Sequence, residues 1–375
     1  MAQQQTSQQV AGAGFGGARA YDSWLESLAL PIHRGYFVED LRTIELGYWG
    51  ERECNTAFLQ LAGQEGVTES RVSEIPPGAT LPPVHFGMDE SVYVVEGRGL
   101  TTVTPRGGAK PQTFEWQKHS IFVLPRNTTY QISNASGENR ALLLHYNYLP
   151  LAMGLNPDPD FFFNNPYDLT GDRPVEEDLY KPAQAMQVTG LRGMRNVWHG
   201  NFFPDMSAWD DLQPFKGRGA GGHVVWIQFP DSPLWSHMSV FPARTYKKAH
   251  RHGPGVVIVI PSGEGFSVMW PEGQDKVYIP WHEASVFVPP DRWFHQHFNV
   301  ADSPGRYLAM HAPRAVSRAA ETIEDRARDQ IEYPDEDPWI RQTFESELAK
   351  RDLKSIMPEQ AYQDRDFEWD YGDAE

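Results

Sequence analysis

Three histidines in the second half of the chain have the residue type and the spacing to bind a metal ion. His250 and His252 flank Arg251, and alternate residues of a β-strand share a face, so both imidazoles point the same way. His295, in a later strand-like run, can supply a third imidazole. Three neutral ligands leave a divalent ion its full charge and open coordination positions. We therefore predict a metal site that takes an anionic, bidentate substrate.

These histidines belong to an internal repeat. The passage that begins at Glu69 aligns without gaps on the passage that begins at Trp235, and 122–134 matches 287–299 further along. Short strand-like runs separated by Pro and Gly fill both copies, a pattern typical of β-sandwiches and barrels. The repeat predicts two homologous β-domains rather than one large sheet.

The two copies differ in their chemistry. Val84, Phe86 and Tyr130 stand in the first copy where the second has its three histidines, and Val256 stands in the second where the first has Glu90. One carboxylate cannot hold a metal ion alone. We therefore predict that the first domain binds no metal and that the second keeps the chemistry.

The motifs of the second copy resemble those of the cupin superfamily. The H-x-H pair is followed by a strand and by Gly-Glu-Gly at 263–265, and a second motif runs from Pro289 through His295 to Asn299. The resemblance implies a mainly β fold with two cupin (jelly-roll) β-barrels in tandem and a helical C-terminal tail. It also implies a homo-oligomer, a dimer or larger.

The resemblance and the composition together divide the chain into five parts. Asp337 and Pro338 have the residue types of an N-cap and first helical position, and Ile340, Phe344 and Leu348 then share one helix face. This tail could cover a barrel or contact a partner subunit. The predicted parts are a disordered tail (1–20), an N-terminal barrel with a degenerate metal site (21–150), an ordered linker (151–220), a C-terminal barrel with the metal site (221–313) and a helical extension (314–375).

The stretch around His295 and His297 looks like that of gentisate dioxygenases and related enzymes. That resemblance implies Fe(II) on the three histidines, with Mn, Ni or Zn as alternatives. It also implies that His297 assists substrate deprotonation, although His297 could instead orient His295. Two features depart from the pattern, namely Gly253-Pro254-Gly255 after the H-x-H pair and the C-terminal position of the metal barrel.

The main functional prediction is therefore a non-haem Fe(II) dioxygenase that cleaves a small hydroxylated aromatic acid, with dioxygen as co-substrate. The first alternative is a metal-dependent lyase, isomerase or hydrolase without redox chemistry. The second is a binding or storage protein that does not catalyse a reaction.

Further residues are predicted to contact the substrate. Aromatic side chains near the motifs are candidates for the cavity wall, and an arginine would suit a substrate carboxylate. His311 has a counterpart, His145, in the copy without ligands, which favours a structural role for it. The predicted substrate-binding residues are Trp293, Phe287, Phe241, Trp226, His237, His311 and Arg244, with Arg292 as a second arginine.

Composition limits the class of partner. The formal net charge of −17 disfavours nucleic acid and anionic membranes. Cys54 is the single cysteine, which excludes a disulfide framework and is typical of a reducing compartment. The first residues lack the features of a signal peptide. We therefore expect a cytoplasmic protein with a small-molecule substrate.

Overall fold

A computed structural model describes residues 19–105, 110–163, 178–190, 193–317 and 322–371 of the chain. The predicted disordered tail at 1–20 lies outside these residues, except for Arg19 and Ala20. None of the helices in the described ranges is long and apolar enough to cross a membrane.

The first half of the chain consists mainly of short strands. Its helices are α1 (Ala20–Ser27), α2 (Leu149–Met153) and α3 (Asp160–Phe163). Its strands are β1 (Ile32–Gly35), β2 (Phe37–Val38), β3 (Gly47–Trp49), β4 (Cys54–Leu61), β5 (Glu69–Ile75), β6 (Val84–Phe86), β7 (Glu90–Glu96), β8 (Arg98–Thr104), β9 (Gln112–Gln117), β10 (Ile121–Leu124), β11 (Thr128–Asn134) and β12 (Ala141–Asn147).

The second half repeats this organisation and adds helices at its end. Its strands are β13 (Gln184–Gly190), β14 (Gly193–His199), β15 (Phe202–Phe203), β16 (Gln213–Pro214), β17 (His223–Gln228), β18 (Trp235–Phe241), β19 (Ala249–His250), β20 (Val257–Ser262), β21 (Gly265–Trp270), β22 (Val277–Trp281), β23 (Val286–Phe287), β24 (Phe294–Asn299), β25 (Gly305–His311) and β26 (Gln330–Ile331). Its helices are α4 (Arg314–Ser317), α5 (Ile323–Arg328), α6 (Pro338–Ala349) and two 3-10 turns, Tyr333–Asp335 and Glu359–Tyr362.

Each half forms a jelly-roll barrel from two facing sheets. In the first barrel, one sheet has the order β1-β4-β5-β12-β7-β10-β15 and the other the order β6-β11-β8-β9. In the second barrel, the corresponding sheets are β13-β14-β17-β18-β25-β20-β23-β2 and β22-β21-β24-β19-β26. The fold is therefore mainly β, with two jelly-roll barrels in tandem, as predicted.

The two barrels share strands at their boundary. β2, from the first half, pairs with β23 of the second barrel, where Phe37 lies opposite Phe287. β15, from the segment predicted as a linker, pairs with β10 of the first barrel. One hydrophobic core contains buried residues of both halves, such as Val123 and Met310. This exchange ties the barrels together through backbone hydrogen bonds as well as side-chain packing.

The C-terminal extension covers the outer face of the second barrel. Helix α6 begins after Asp337, whose side chain accepts a hydrogen bond from the backbone N–H of Trp339. Its buried residues are the predicted ones, Ile340, Phe344 and Leu348, and they share a core with Phe298 of β24. Of the two options that the sequence left open, the structure shows the one in which the extension packs on a barrel of its own chain.

Candidate metal centre

Two paired strands bring the three predicted ligands together. His250 of β19 lies directly opposite His295 of β24 in the antiparallel pairing, and their ring centroids are 4.2 Å apart. His252 lies just beyond the end of β19, with its ring 4.8 Å from that of His295. One ligand atom from each histidine lies within 4.8 Å of the others. The arrangement brings three imidazoles to one point, as the spacing predicts.

Hydrogen bonds and burial prepare these rings to bind a metal ion. The carbonyl oxygen of Gly253 accepts a bond from His252 Nδ1 at 2.7 Å, and that of Trp293 accepts one from His295 Nδ1 at 3.2 Å. A carbonyl can only accept, so Nδ1 carries the proton in both rings and Nε2 keeps its lone pair. Burial lowers the pKa of His252 to about 4. Two of the three imidazoles thus have fixed tautomers, whereas the buried Nδ1 of His250 has no hydrogen-bond partner. A set of neutral imidazoles fits a divalent metal ion.

The same position in the first barrel holds an ion-pair network. Arg71 contacts Glu90 at 2.6 Å and Glu69 at 2.8 Å, and His145 Nδ1 lies 2.8 Å from Glu90 Oε2. Tyr130, the counterpart of His295, bonds Glu90 at 3.4 Å through its hydroxyl group. A guanidinium group thus supplies the positive charge between the two carboxylates of this barrel.

His297 lies beside the triad and is held by a hydroxyl group. Its Nδ1 is 2.9 Å from Ser267 Oγ, which also accepts a bond from Trp281 Nε1 at 3.1 Å. Its ring lies 5.6 Å from that of His295. Burial, together with the nearby charge of Lys247, lowers the pKa of His297 to about 3. His297 is therefore neutral near pH 7, and its Nδ1 bonds Ser267 rather than orienting a ligand.

The triad opens into a cavity of about 120 Å³. Its wall includes several predicted residues, namely Trp226, His237, His311 and His297, and also Val256, which stands where the first barrel has Glu90. Sequence reasoning missed the rest of the wall, which consists of Phe215, Arg218, Trp235, Arg251, Ile258, Tyr307, Ala309, Arg326 and Asp329.

Three aromatic residues that were predicted to contact the substrate lie away from the cavity wall. Phe287 belongs to a hydrophobic core and lies next to His297, with ring centroids 5.6 Å apart. Phe241 packs in the same core, against Trp281. Trp293 packs on Tyr36, 5.5 Å between ring centroids, and offers its backbone carbonyl to His295.

The two arginines predicted to bind a substrate carboxylate, Arg244 and Arg292, do not line the cavity. Arg244 lies in a turn with a φ of +56°, and its carbonyl accepts a bond from Ile356 N. Arg292 forms an ion pair with Asp329. Three other arginines line the cavity, namely Arg218, Arg251 and Arg326. Arg218 Nη1 donates to Gln330 Oε1 at 2.8 Å. Since Arg218 lies in the segment predicted as a linker and outside both motifs, no sequence signal marked it.

A second histidine pair faces the same cavity. His237 Nδ1 and His311 Nε2 are 2.8 Å apart, so one ring donates a hydrogen bond to the other. Trp235 stacks on His311 with a centroid distance of 3.6 Å and an interplanar angle of 8°. Burial lowers the pKa of both histidines well below the usual range. The structural role predicted for His311 thus coexists with a place in the cavity wall.

Comparisons with known proteins give structural neighbours only. No family model matches the chain, and no curated protein matches it. A variant of the Bacillus subtilis oxalate decarboxylase superposes with a TM-score of 0.49 and 13% identity over 76% of this chain and 79% of that chain. The formate complex of the Lactobacillus farciminis oxalate decarboxylase gives 0.49 and 13% over 76% and 87%. The predicted likeness to gentisate dioxygenases is not shown.

Proposed function

We propose that the second barrel is the active site of a metal-dependent lyase that acts on a small carboxylate-bearing substrate without net oxidation. One observation carries this proposal: three neutral imidazoles and the guanidinium group of Arg218 line the same small cavity. A divalent ion bound there would polarise a substrate oxygen as a Lewis acid. The site would then hold an excess of positive charge, which selects an anion.

The residues around the triad fit the remaining steps of such a reaction. Arg218 can bind the substrate carboxylate, since a guanidinium group matches that geometry. In such a reaction the bond between the carboxylate carbon and its neighbouring carbon would break, carbon dioxide would leave, and the electron pair left on the neighbouring carbon would take up a proton. The hydrogen-bonded, neutral imidazoles of His237 and His311 lie at the cavity wall and can relay a proton from one ring to the other.

The cavity wall also limits access of water. Phe215, Trp226, Trp235 and Tyr307 form its aromatic part. Exclusion of water strengthens the electrostatic interactions of Arg218 and the metal ligands with an anion. His297 remains neutral in this environment and can donate or accept one hydrogen bond to the substrate through the ring nitrogen that does not contact Ser267.

The aromatic wall favours a second candidate function. Hydroxylated aromatic acids would stack on Trp226 or Trp235, and they combine a carboxylate with an adjacent oxygen that can chelate a metal ion. The predicted Fe(II)-dependent ring cleavage by dioxygen is therefore a second proposal for the same site. It differs from the first in its need for dioxygen.

The test measures metal content, product formation and oxygen uptake on the full chain. The protein is stripped with a chelator, reconstituted anaerobically with Mn²⁺ or Fe²⁺, and screened against hydroxy, oxo and hydroxybenzoic acids. Metal-dependent product formation without oxygen uptake is the expected result. Oxygen uptake that is stoichiometric with product would favour the second candidate. Failure to bind any of these metals would overturn both.

A pair of matched variants links the activity to the triad. His295→Ala removes a predicted ligand, and we expect it to lose both the metal and the activity. His33→Ala removes a half-buried histidine of β1 whose Nε2 lies 3.0 Å from the carbonyl oxygen of Glu45, and we expect it to keep both. If His295→Ala kept metal and activity at the level of His33→Ala, the proposed ligand set would be wrong.

A further inference from the structure

The C-terminal extension adds a strand to the edge of the metal-binding sheet. In β26, Gln330 lies opposite His250, and Ile331 lies opposite Ala249. The backbone N–H of Arg251, between the two ligands of the H-x-H pair, donates to the carbonyl of Asp329 at 3.0 Å. Residues from the extension therefore lie directly beside the ligand-bearing strand.

The carboxylate of Asp329 joins both ligand-bearing segments. Arg251 Nε donates to Oδ1 at 3.0 Å, and the two terminal nitrogens of Arg292 donate to Oδ2 at 3.0 Å and to Oδ1 at 2.5 Å. The backbone N–H of Arg292 in turn donates to the carbonyl of His252 at 3.0 Å. Arg251 lies between His250 and His252, and Arg292 lies three residues before His295, so one side chain spans both arms of the triad.

Asp329 is suited to fix geometry rather than to bind a substrate. It is 5% exposed, and its bond pattern with Arg292 is bidentate, which restricts the orientation of both groups. Burial alone would raise its pKa, but hydrogen bonds from Arg292 and Arg251 lower it to about 2. The carboxylate is thus charged and fully engaged at neutral pH.

We infer that Asp329 is a positioning residue for the metal centre, through which the C-terminal extension sets the geometry of the three histidines. This inference rests on the proposed metal site and goes beyond it, because it makes metal affinity depend on a segment outside the barrel. Loss of the Asp329 carboxylate would weaken metal binding through two effects. Loss of the carboxylate loosens the link between the ligand segments, and it leaves the charges of Arg251 and Arg292 without this counter-ion close to a bound cation.

The experiment measures binding of Co²⁺ alone to the full chain, by titration and by the visible absorption of the bound ion. Asp329→Asn keeps the shape of the side chain but removes its charge. We expect it to weaken Co²⁺ binding by about 10-fold or more, as is usual when groups that orient metal ligands are changed, and to alter the absorption spectrum.

The matched control is Asp335→Asn. Asp335 lies six residues after Asp329 in the same extension and forms an exposed ion pair with Arg365, which this substitution breaks. We expect it to bind Co²⁺ with the wild-type affinity and spectrum. Wild-type affinity and spectrum in Asp329→Asn would overturn the inference while leaving the metal site intact. Failure of the wild-type chain to bind Co²⁺ would instead overturn the proposed function.

A second variant keeps the test decisive if Asp329→Asn does not fold, which far-ultraviolet circular dichroism would reveal. Arg292→Gln removes the bidentate arm next to His295 but leaves the bond between Asp329 and Arg251 in place. We expect a several-fold loss of Co²⁺ affinity in this variant, and wild-type binding by it would contradict the inference.

Discussion

The ion-pair network of the first barrel makes a testable prediction about stability. Arg71 lies between two carboxylates, and the side chains of Glu69 and Glu90 are 2% and 0% exposed, against 12% for Arg71. Arg71→Met keeps most of the aliphatic volume but removes the charge. The two carboxylates would then remain buried without their guanidinium partner.

The expected cost follows from this burial. Removal of one partner of a buried ion pair destabilises a protein by about 3–5 kcal/mol, because it leaves an uncompensated charge in the interior. Asn147, which donates to Glu69 at 3.0 Å and to Glu90 at 3.1 Å, stays in place and offsets only a part of this loss. We therefore expect Arg71→Met to lower the free energy of unfolding of the first barrel by about 3 kcal/mol or more.

The assay is urea unfolding followed by tryptophan fluorescence and circular dichroism, with Arg140→Met as the control. Arg140 also bridges two carboxylates, Glu74 and Glu96, but its side chain is 36% exposed. Pairs of this kind contribute about 0–1 kcal/mol. If Arg71→Met cost no more than Arg140→Met, the assignment of Arg71 as the internal cation of this barrel would be refuted.

A second substitution separates charge from packing. Arg71→Met combined with Glu90→Gln removes one of the two stranded carboxylates. We expect this double variant to be more stable than Arg71→Met alone, since less uncompensated charge is buried. An unchanged or lower stability in the double variant would show that lost packing, rather than charge, explains the effect of Arg71→Met.

Three further predictions concern the second barrel and its extension. Burial raises the pKa of Glu336 to about 8. The contribution of this group to the free energy of unfolding is therefore largest below its unfolded-state pKa near 4.3 and is lost as the pH rises toward 8. Glu336→Gln should flatten the dependence of the free energy of unfolding on pH over this range, as measured by urea titrations. Phe344→Ala should lower the free energy of unfolding by about 3–5 kcal/mol, because Phe344 is fully buried on α6. The control is Phe161→Ala, which should change this free energy by less than about 0.5 kcal/mol, because Phe161 is 37% exposed. Arg218→Gln should raise KM for an anionic substrate by about 10-fold or more with intact Co²⁺ binding, and an unchanged KM would contradict its proposed role.

The sequence was sufficient to predict the fold and the convergence of the three histidines, because both depend on local spacing. The alternation of His250 and His252 fixes a shared direction as soon as the segment is extended, and the repeat places His295 on the neighbouring strand. The repeat also aligns Val256 with Glu90 of the first copy, and Val256 lines the cavity of the second barrel. The alternation of residues within single strands, together with the internal repeat, was therefore the basis of most of the correct predictions.

The cavity wall was less predictable because it depends on residues that are distant in sequence. Arg218 precedes the barrel, and Asp329 follows it, so neither belongs to the motifs. Phe241 and Phe287 have the right residue type but pack in the core rather than along the cavity. The complete burial of β24 also has a cause outside the strand, since the C-terminal extension covers the face that would otherwise meet solvent.

With a metal ion bound as proposed, the two barrels would place positive charge at the same point of the fold by different means. In the first, Arg71 supplies a permanent charge, and Glu69 and Glu90 are present to balance it. In the second, the residues aligned with these three are His237, Trp235 and Val256, so the arginine at this strand position and both carboxylates are absent together. A guanidinium group cannot exchange ligands, whereas an ion on three imidazoles can keep positions open for a substrate. Loss of the carboxylates leaves that charge uncompensated, which is the condition for binding an anion. The joint replacement of all three residues therefore supports the proposal that the second barrel is the active site and that the first barrel has a structural role.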